Sequence, residues 1–423
     1  MNPLKALFRP RDHPKNKAGA GFSFLFGGTP SGVAVDERTA MQNTVVYACV
    51  RILAETVASI PLHMFQYKEN DDKEHARGHP LYYLLHNAPN PLMTSFVFRE
   101  TLMSHILLWG NAYAQIIRDG RGQVAALYPL LPGKMDVSIS HGGKLVYTYY
   151  KDWDDAYPKS TRSGSPVTLR QEDVLHIPGL GFDGLVGYSP IGMACNAIGM
   201  SIATENYGSR FFANSAQPSG VLEHPGILKD HDKLRADWQA KFSGPGAHSI
   251  AILEENMKFH PISINPNDAQ FLDTRKFQVQ EIARIFRVPL SMLGNLERAT
   301  YNNAEQLSLD YVKFTITPWL SRFEQAFEQQ LLLPSERRDY FIRFNVGGLL
   351  RGDLKSRYES YAIGMQNGFM SPNDIRELED WNLIPEPYGS RFYANGNFIP
   401  LERAGDQYIS SEPKKKEVNQ SDE

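Results

Sequence analysis

Cysteine is almost missing from this chain. Only Cys49 and Cys195 occur in 423 residues, far apart in sequence. That excludes a disulfide framework and a zinc site built on cysteine pairs, and it fits a reducing compartment. An excess of one charge is missing too. The net charge is −3, so the basic surplus of a soluble sequence-specific DNA binder is absent. No apolar run is long enough for a membrane span: the longest, 45–65, is interrupted by Arg51 and Glu55 and broken by Pro61. The basic N-terminus MNPLKALFRPRDHPKNKAGAG has no apolar stretch of signal-peptide length. The expectation is a soluble protein that neither enters a membrane nor leaves by the Sec route. The GxxxxGKS/T phosphate loop, GxSxG and HExxH are all absent. A nucleotide-driven motor and the common hydrolase signatures are thereby disfavoured.

What is present reads as an α+β protein of more than one part. Val46, Val50, Leu53 and Val57 recur at three- and four-residue steps, which predicts a helix over 39–59. A second helix is predicted over 95–109, and DGRG between AYAQII and QVAALY predicts a hairpin. Strands follow at 134–140, 145–150 and 173–177. Residues 190–214 read as a helix with Gly192, Ala194, Ala197, Gly199, Ser201 and Ala203 on one side, a face suited to a tight contact. The insert 217–266 predicts a short strand, a helix over 229–242 and a strand pair around 249–264. Helices 268–286 and 304–332 flank a loop rich in turn residues: Pro289, Gly294, Asn295, Asn302 and Asn303. Leu307, Tyr311, Phe314, Phe323, Phe327 and Leu331 form one stripe on the second of these, and Pro318 implies a kink. RRDYFIRFN (337–345) reads as a strand. Ser371 and Pro372 are placed to start a helix.

Three clusters have bland readings. His75 and His79 lie in HARGHP and read as solvated loop histidines. Asp152, Asp154 and Asp155 read as an exposed hairpin tip, since the glycine and glutamate of a calcium loop are missing. GLGFDG (179–184) runs from a strand into another loop and is not read as a phosphate cradle.

Several longer segments, in order, carry a resemblance. They are NTVVYACVRILAETVASIPL (43–62), the segment from PN to MTSFVFRE (89–100), WGNAY (109–113), LYPLLP (127–132) and EDVLHIPGLGFDGLVGYSPI (172–191). FRVPLSMLG (286–294), YNNAEQ (301–306) and RGDLKSRYESYAIGMQNGFMSPNDIRE (351–377) complete the set. Together they resemble the portal proteins of long-tailed double-stranded DNA bacteriophages (siphophages). Leu290 stands where many relatives have a second proline. The resemblance implies a multi-part fold with wing, stem, clip and crown, assembled as a closed ring, usually of twelve copies, at one capsid vertex. It places a flexible arm at 1–37, the wing at 38–188 and a first stem helix at 189–214. The clip would be 215–267, the second stem helix 268–287 and the tunnel loop 288–303. A wing return would occupy 304–349, the crown 350–400 and a disordered tail 401–423.

No catalytic residue, cofactor or metal is implied. The implied partners are further copies of the chain, double-stranded DNA, the terminase large subunit, the major capsid protein with its scaffold, and the head–tail adaptor. The implied location is the virion, with the host cytoplasm during assembly. Within the loop, Asn295, Arg298, Thr300, Asn302 and Asn303 are candidate sliding contacts to DNA; packing on a neighbouring subunit is the alternative. Arg275, Lys276 and Arg284 lie opposite the apolar stripe of Leu272, Val279, Ile282 and Phe286. They are candidates either for facing the bore or for pairing with nearby acids.

Elementary geometry admits such a ring. Helices pack at about 8–10 Å, so a circle of them clearing a ~20 Å duplex holds roughly 11–13. Twelve chains at −3 carry about −36, which opposes uniform attraction of phosphate. Two other classes stay open from the residues alone: a carboxylate-dependent hydrolase using Asp152, Asp154 and Asp155, and a ring or filament scaffold unrelated to DNA.

Overall fold

The computed structural model describes residues 29–68, 73–140, 142–150, 166–213, 220–223, 225–226, 232–233, 236, 256–261, 271–294, 301–348, 354–379 and 381–393. The chain forms two compact units, residues 1–346 and 347–423.

The first unit is built around two helices. A short helix α1 (Glu37–Ala40), closed by an Asp36–Thr39 capping box, precedes α2 (Thr44–Ser59). The Asn43 side chain accepts from the Val45 and Val46 amides and so fixes where α2 starts. Val46, Cys49, Val50, Leu53, Ala54 and Val57 are buried along one face. Pro61 follows and cannot continue the helix. The chain then enters strand β1 (Leu62–Tyr67), pairs back through β2 (Lys73–His75), and forms helix α3 (Pro80–His86). Helix α4 (Ser95–Trp109) packs on α2 through Phe98, Leu102, Met103, Ile106 and Leu107. It stops at Gly110, whose φ of +81° is the left-handed cap that favours glycine.

Strands β3 (Asn111–Arg118) and β4 (Val124–Leu130) form the predicted hairpin. Asp119 shapes its turn by accepting from the Arg121 and Gln123 amides at 2.8 and 2.9 Å. A second small sheet is made by β5 (Met135–Ile139), β6 (Leu145–Tyr150) and β7 (Pro166–Arg170), the last not foreseen from sequence. Strand β8 (Val174–Pro178) returns to pair with β3. Tyr113, Leu130, Met135, Tyr147 and Val174 fill the space between these sheets.

The predicted 190–214 helix is split at Ala194 into α5 (Pro190–Met193) and α6 (Cys195–Ala213). Its small face is already occupied. A Cβ on Gly199 would lie 2.9 Å from Thr29 Oγ1 and 3.0 Å from Ser31 Oγ, and Asn43 donates to Ser201 Oγ at 3.0 Å. Residues 29–32, expected within the flexible arm, form a turn packed there. The end of that arm is ordered too, since Asp36 caps α1 and Glu37 opens it. Residues 1–28 lie outside the described residues, as do the tail 401–423 and nearly all of the predicted 229–242 helix. Strands β9 (Gly220–Glu223) and β10 (Lys258–Pro261) pair antiparallel.

Helix α7 (Phe271–Phe286) packs on α6. A long helical rod then runs through α8 (Tyr301–Asp310), a π-helical turn (Tyr311–Ile316) and α9 (Thr317–Leu331). Strand β11 (Tyr340–Phe344) closes the unit by pairing with β1, Met64 opposite Ile342. Arg99 is buried at this junction, donating to Ile60 O and Ser95 O. Burial lowers its pKa to about 10.

The second unit contains α10 (Leu354–Gln366) and α11 (Pro372–Leu378). Ser371 caps α11 in a reciprocal box with Asp374, as its position before Pro372 predicts.

Candidate nucleic-acid interface

The candidate site is the reversal between α7 and α8. Ile282, Ala283, Phe286 and Val288 are buried, which fixes the inner face of α7. The helix ends in a Schellman motif: Val288 N–H donates to Ala283 O at 3.0 Å and Arg287 N–H to Arg284 O at 3.2 Å. The residue at the left-handed position is not glycine but Arg287, with φ +56°. Pro289 then starts a 3₁₀ turn, Leu290–Leu293, which ends at Gly294 with φ +83°.

The other arm is locked by the π-helical turn. Thr317 N–H and Oγ1 both bond Val312 O. This wider register precedes Pro318, which has no N–H to continue a regular helix. Thr315 Oγ1 donates to Arg287 O at 2.8 Å, tying the rod to the end of α7. Tyr311 OH donates to Thr56 Oγ1 on α2 at 3.2 Å, and burial raises its pKa to about 12. A kinked but otherwise regular helix was expected here. The π turn instead shifts the stripe: Tyr311, Phe323, Phe327 and Leu331 are buried, whereas Phe314 is 57% exposed with Lys313 5.2 Å from its ring.

Arg275, Lys276 and Arg284 are exposed on α7. Arg284 is paired with Glu281 one turn before it, so for this residue the acidic neighbour is on its own helix. With Asp273 and Glu281 against Arg275, Lys276 and Arg284, the helix carries +1, a weak field. Asn302 and Asn303 lie in the first turn of α8. Asn295, Arg298 and Thr300 lie outside the described residues, as do Asp152, Asp154 and Asp155.

A polar network that sequence reasoning missed steadies β8 beneath α9. Gln330 Oε1 accepts from His176 N–H at 2.7 Å and Gln330 Nε2 donates to His176 O at 2.9 Å. The His176 ring bridges Tyr147 OH and Asn111 Oδ1, and burial lowers its pKa to about 3. No local pattern announces partners so far apart in sequence. The HARGHP histidines are not solvated loop residues either. His75 lies in β2 against Phe65, and His79 caps α3 while reaching Glu336 at 3.3 Å. Among the described residues no group of three or more His, Cys, Asp or Glu could hold a metal ion, and no helix is long and apolar enough to cross a membrane.

Residues 44–380 match the family model described as phage portal protein. The chain is 35% identical over 373 residues to a probable portal protein of Streptomyces phage phiC31, covering 86% of this chain and 79% of that one. It is 31% identical over 378 residues to the portal protein of Enterobacteria phage HK97, covering 88% and 86%. Its fold is similar to a chain in the neck of an empty gene transfer agent particle computed with C6 symmetry. The TM-score there is 0.57 at 21% identity, covering 86% of this chain and 95% of that one. The chain therefore belongs to the phage portal protein family, whose members form the DNA-packaging ring at a capsid vertex.

Proposed function

We propose that about twelve copies of this chain close head to tail around a bore lined by α7, and that loop 288–303 hangs into that bore as a sliding contact for double-stranded DNA. One observation carries this reading. The reversal is pinned on both sides, by the Schellman end of α7 and by the Thr315–Arg287 bond from the rod, while the segment between carries Asn295, Arg298, Thr300, Asn302 and Asn303. A rigid mount with a polar, nearly uncharged tip suits transient hydrogen bonds to passing phosphates. Tight ionic contacts would instead strengthen binding and slow translocation. Membership of a structural family leaves no place for the hydrolase reading of Asp152, Asp154 and Asp155.

On this reading the ring sits at the portal vertex of the virion, and DNA leaves through it as well as entering. The wing, stem, clip and crown occupy the ranges given above. The clip 215–267 meets the terminase large subunit during packaging and the head–tail adaptor afterwards. The wing meets the major capsid protein and scaffold. Arg298→Ala tests the loop: packaging and retention of DNA should weaken while rings still form. Unchanged packaging and retention would remove Arg298 from the mechanism. Images of the assembled full-length chain test the ring itself, since a centre too narrow for B-form DNA would overturn the reading.

A further inference from the structure

The loop 179–188 combines a fixed base with an apolar tip. Leu180 is 79% and Phe182 90% exposed. Beneath them the backbone is packed closely enough to exclude side chains. A Cβ on Gly179 or Gly187 would lie 2.8 or 2.1 Å from Gly110 O, and one on Gly181 would lie 2.1 Å from Val186 O. Asn111 Oδ1 accepts from Gly187 N–H and Asn111 Nδ2 donates to Gly187 O, both at 2.8 Å. Arg322 Nη1 donates to Pro178 O at 3.0 Å and Gly179 O at 3.2 Å. Tyr188 N–H closes the loop on Leu180 O at 2.8 Å. Phe182 meets Tyr188 edge-on at 4.9 Å between ring centroids yet leaves nearly all of its surface to solvent, as does Leu180. So much fixing beneath so exposed an apolar tip is the signature of a docking element. Pre-ordering lowers the entropy lost on binding.

The ring reading supplies the occupant, and the inference rests on it. A head-to-tail ring needs two different patches on every chain. The loop is anchored at the C-terminal end of α4, where Ser189 Oγ donates to Leu108 O at 2.6 Å. The N-terminal end of the same helix exposes Phe96 and Val97, with Leu92 just before them. Fifteen residues of helix put these two patches about 21 Å apart on one rigid rod. Asp183 lies beside Phe182 in the loop, its carboxylate accepting from the Leu185 and Val186 amides, and the first turn of α4 holds no acidic residue that would repel it. Phe182 alone offers on the order of 200 Å², about a quarter of the ~800 Å² that one side of a specific interface buries.

We propose that loop 179–188 inserts Phe182 and Leu180 against the Leu92, Phe96 and Val97 patch of the next copy around the ring, and that these side chains are anchors of subunit assembly. The test uses the full-length chain in mass photometry and negative-stain imaging. Wild-type protein must form rings; if it stays monomeric, the ring reading fails before the loop is tested. Leu180→Asp combined with Phe182→Asp should keep the wild-type circular dichroism and melting curve of the subunit yet lower the ring fraction more than about tenfold, as loss of an interface anchor does. Leu92→Asp with Val97→Asp should reproduce the defect. Rings at wild-type abundance would overturn the proposal. So would normal rings that fail only to enter heads, because the loop would then serve a capsid or scaffold partner. Should the aspartate variants misfold, Phe182→Cys with Val97→Cys in a Cys195→Ser background gives an independent measure. Mild oxidation should yield a ladder of covalent multimers that neither single cysteine gives, and assembled rings without that ladder would refute the contact.

Discussion

Arg287 occupies a left-handed backbone position that glycine fills at lower energy. Arg287→Gly should therefore raise stability by about 1 kcal/mol, seen as a higher denaturant midpoint at unchanged slope; a lower midpoint would mean that the arginine side chain contributes more than its backbone strain costs. Two histidines, buried His176 and half-buried His105, set a second expectation. Burial holds His105 near pKa 4 and His176 near 3, both below the ~6.5 of an unfolded histidine. The folded state thus binds fewer protons. The stability contributed by the neutral rings is complete above about pH 6.5 and is lost progressively as pH falls toward 4 and 3. At pH 5 the loss is roughly 2 kcal/mol for each ring. Melting temperature should fall on acidification below pH 6.5, and His105→Leu should flatten that slope. An identical slope in the variant would show that other groups govern acid lability.

The joint between α7 and the helical rod depends on a side chain. Thr315→Val keeps the volume but leaves Arg287 O without its donor. It should cost about 1–2 kcal/mol and speed hydrogen exchange of the amides over 287–294. Thr317→Val removes only a second donor from Val312 O, whose backbone bond persists, so its effect should be smaller. Equal effects would deny the joint its special role. The same elements show what a sequence can and cannot announce. The DGRG hairpin, the Ser371–Pro372 helix start and the α2 stripe are short-range consequences of turn chemistry and periodicity, and each was legible. The π turn was not: it inserts part of a turn without changing composition, so the stripe slips and Phe314 faces outward. The His176–Gln330 bonds and the occupation of the Gly199 face by Thr29 and Ser31 were equally silent, because each joins segments distant in sequence. The loop residues are singled out only by resemblance and turn content, whereas the exposed apolar tip at Phe182 has no sequence signal beyond one more glycine-rich connection.

A ring of about −36 formal charge, with +1 on the helix proposed to line it, should hold duplex DNA weakly. Assembled rings should bind a short duplex no tighter than the weak end of non-specific affinity, about 10⁻⁴ M at physiological salt, with log–log salt slope shallower than about −3. A steep slope would mean many fixed phosphate contacts and would contradict free sliding. The pairing of β1 with β11 acts on another timescale. β1 is the middle strand of its sheet, yet one of its neighbours emerges from the ribosome roughly 280 residues after it. At about 5–20 residues per second the nascent chain carries that open strand edge for some 15–60 s. Synthesis, before any ring exists, is thus the interval in which this protein is most exposed to aggregation, and a chaperone shielding residues 62–67 would act there.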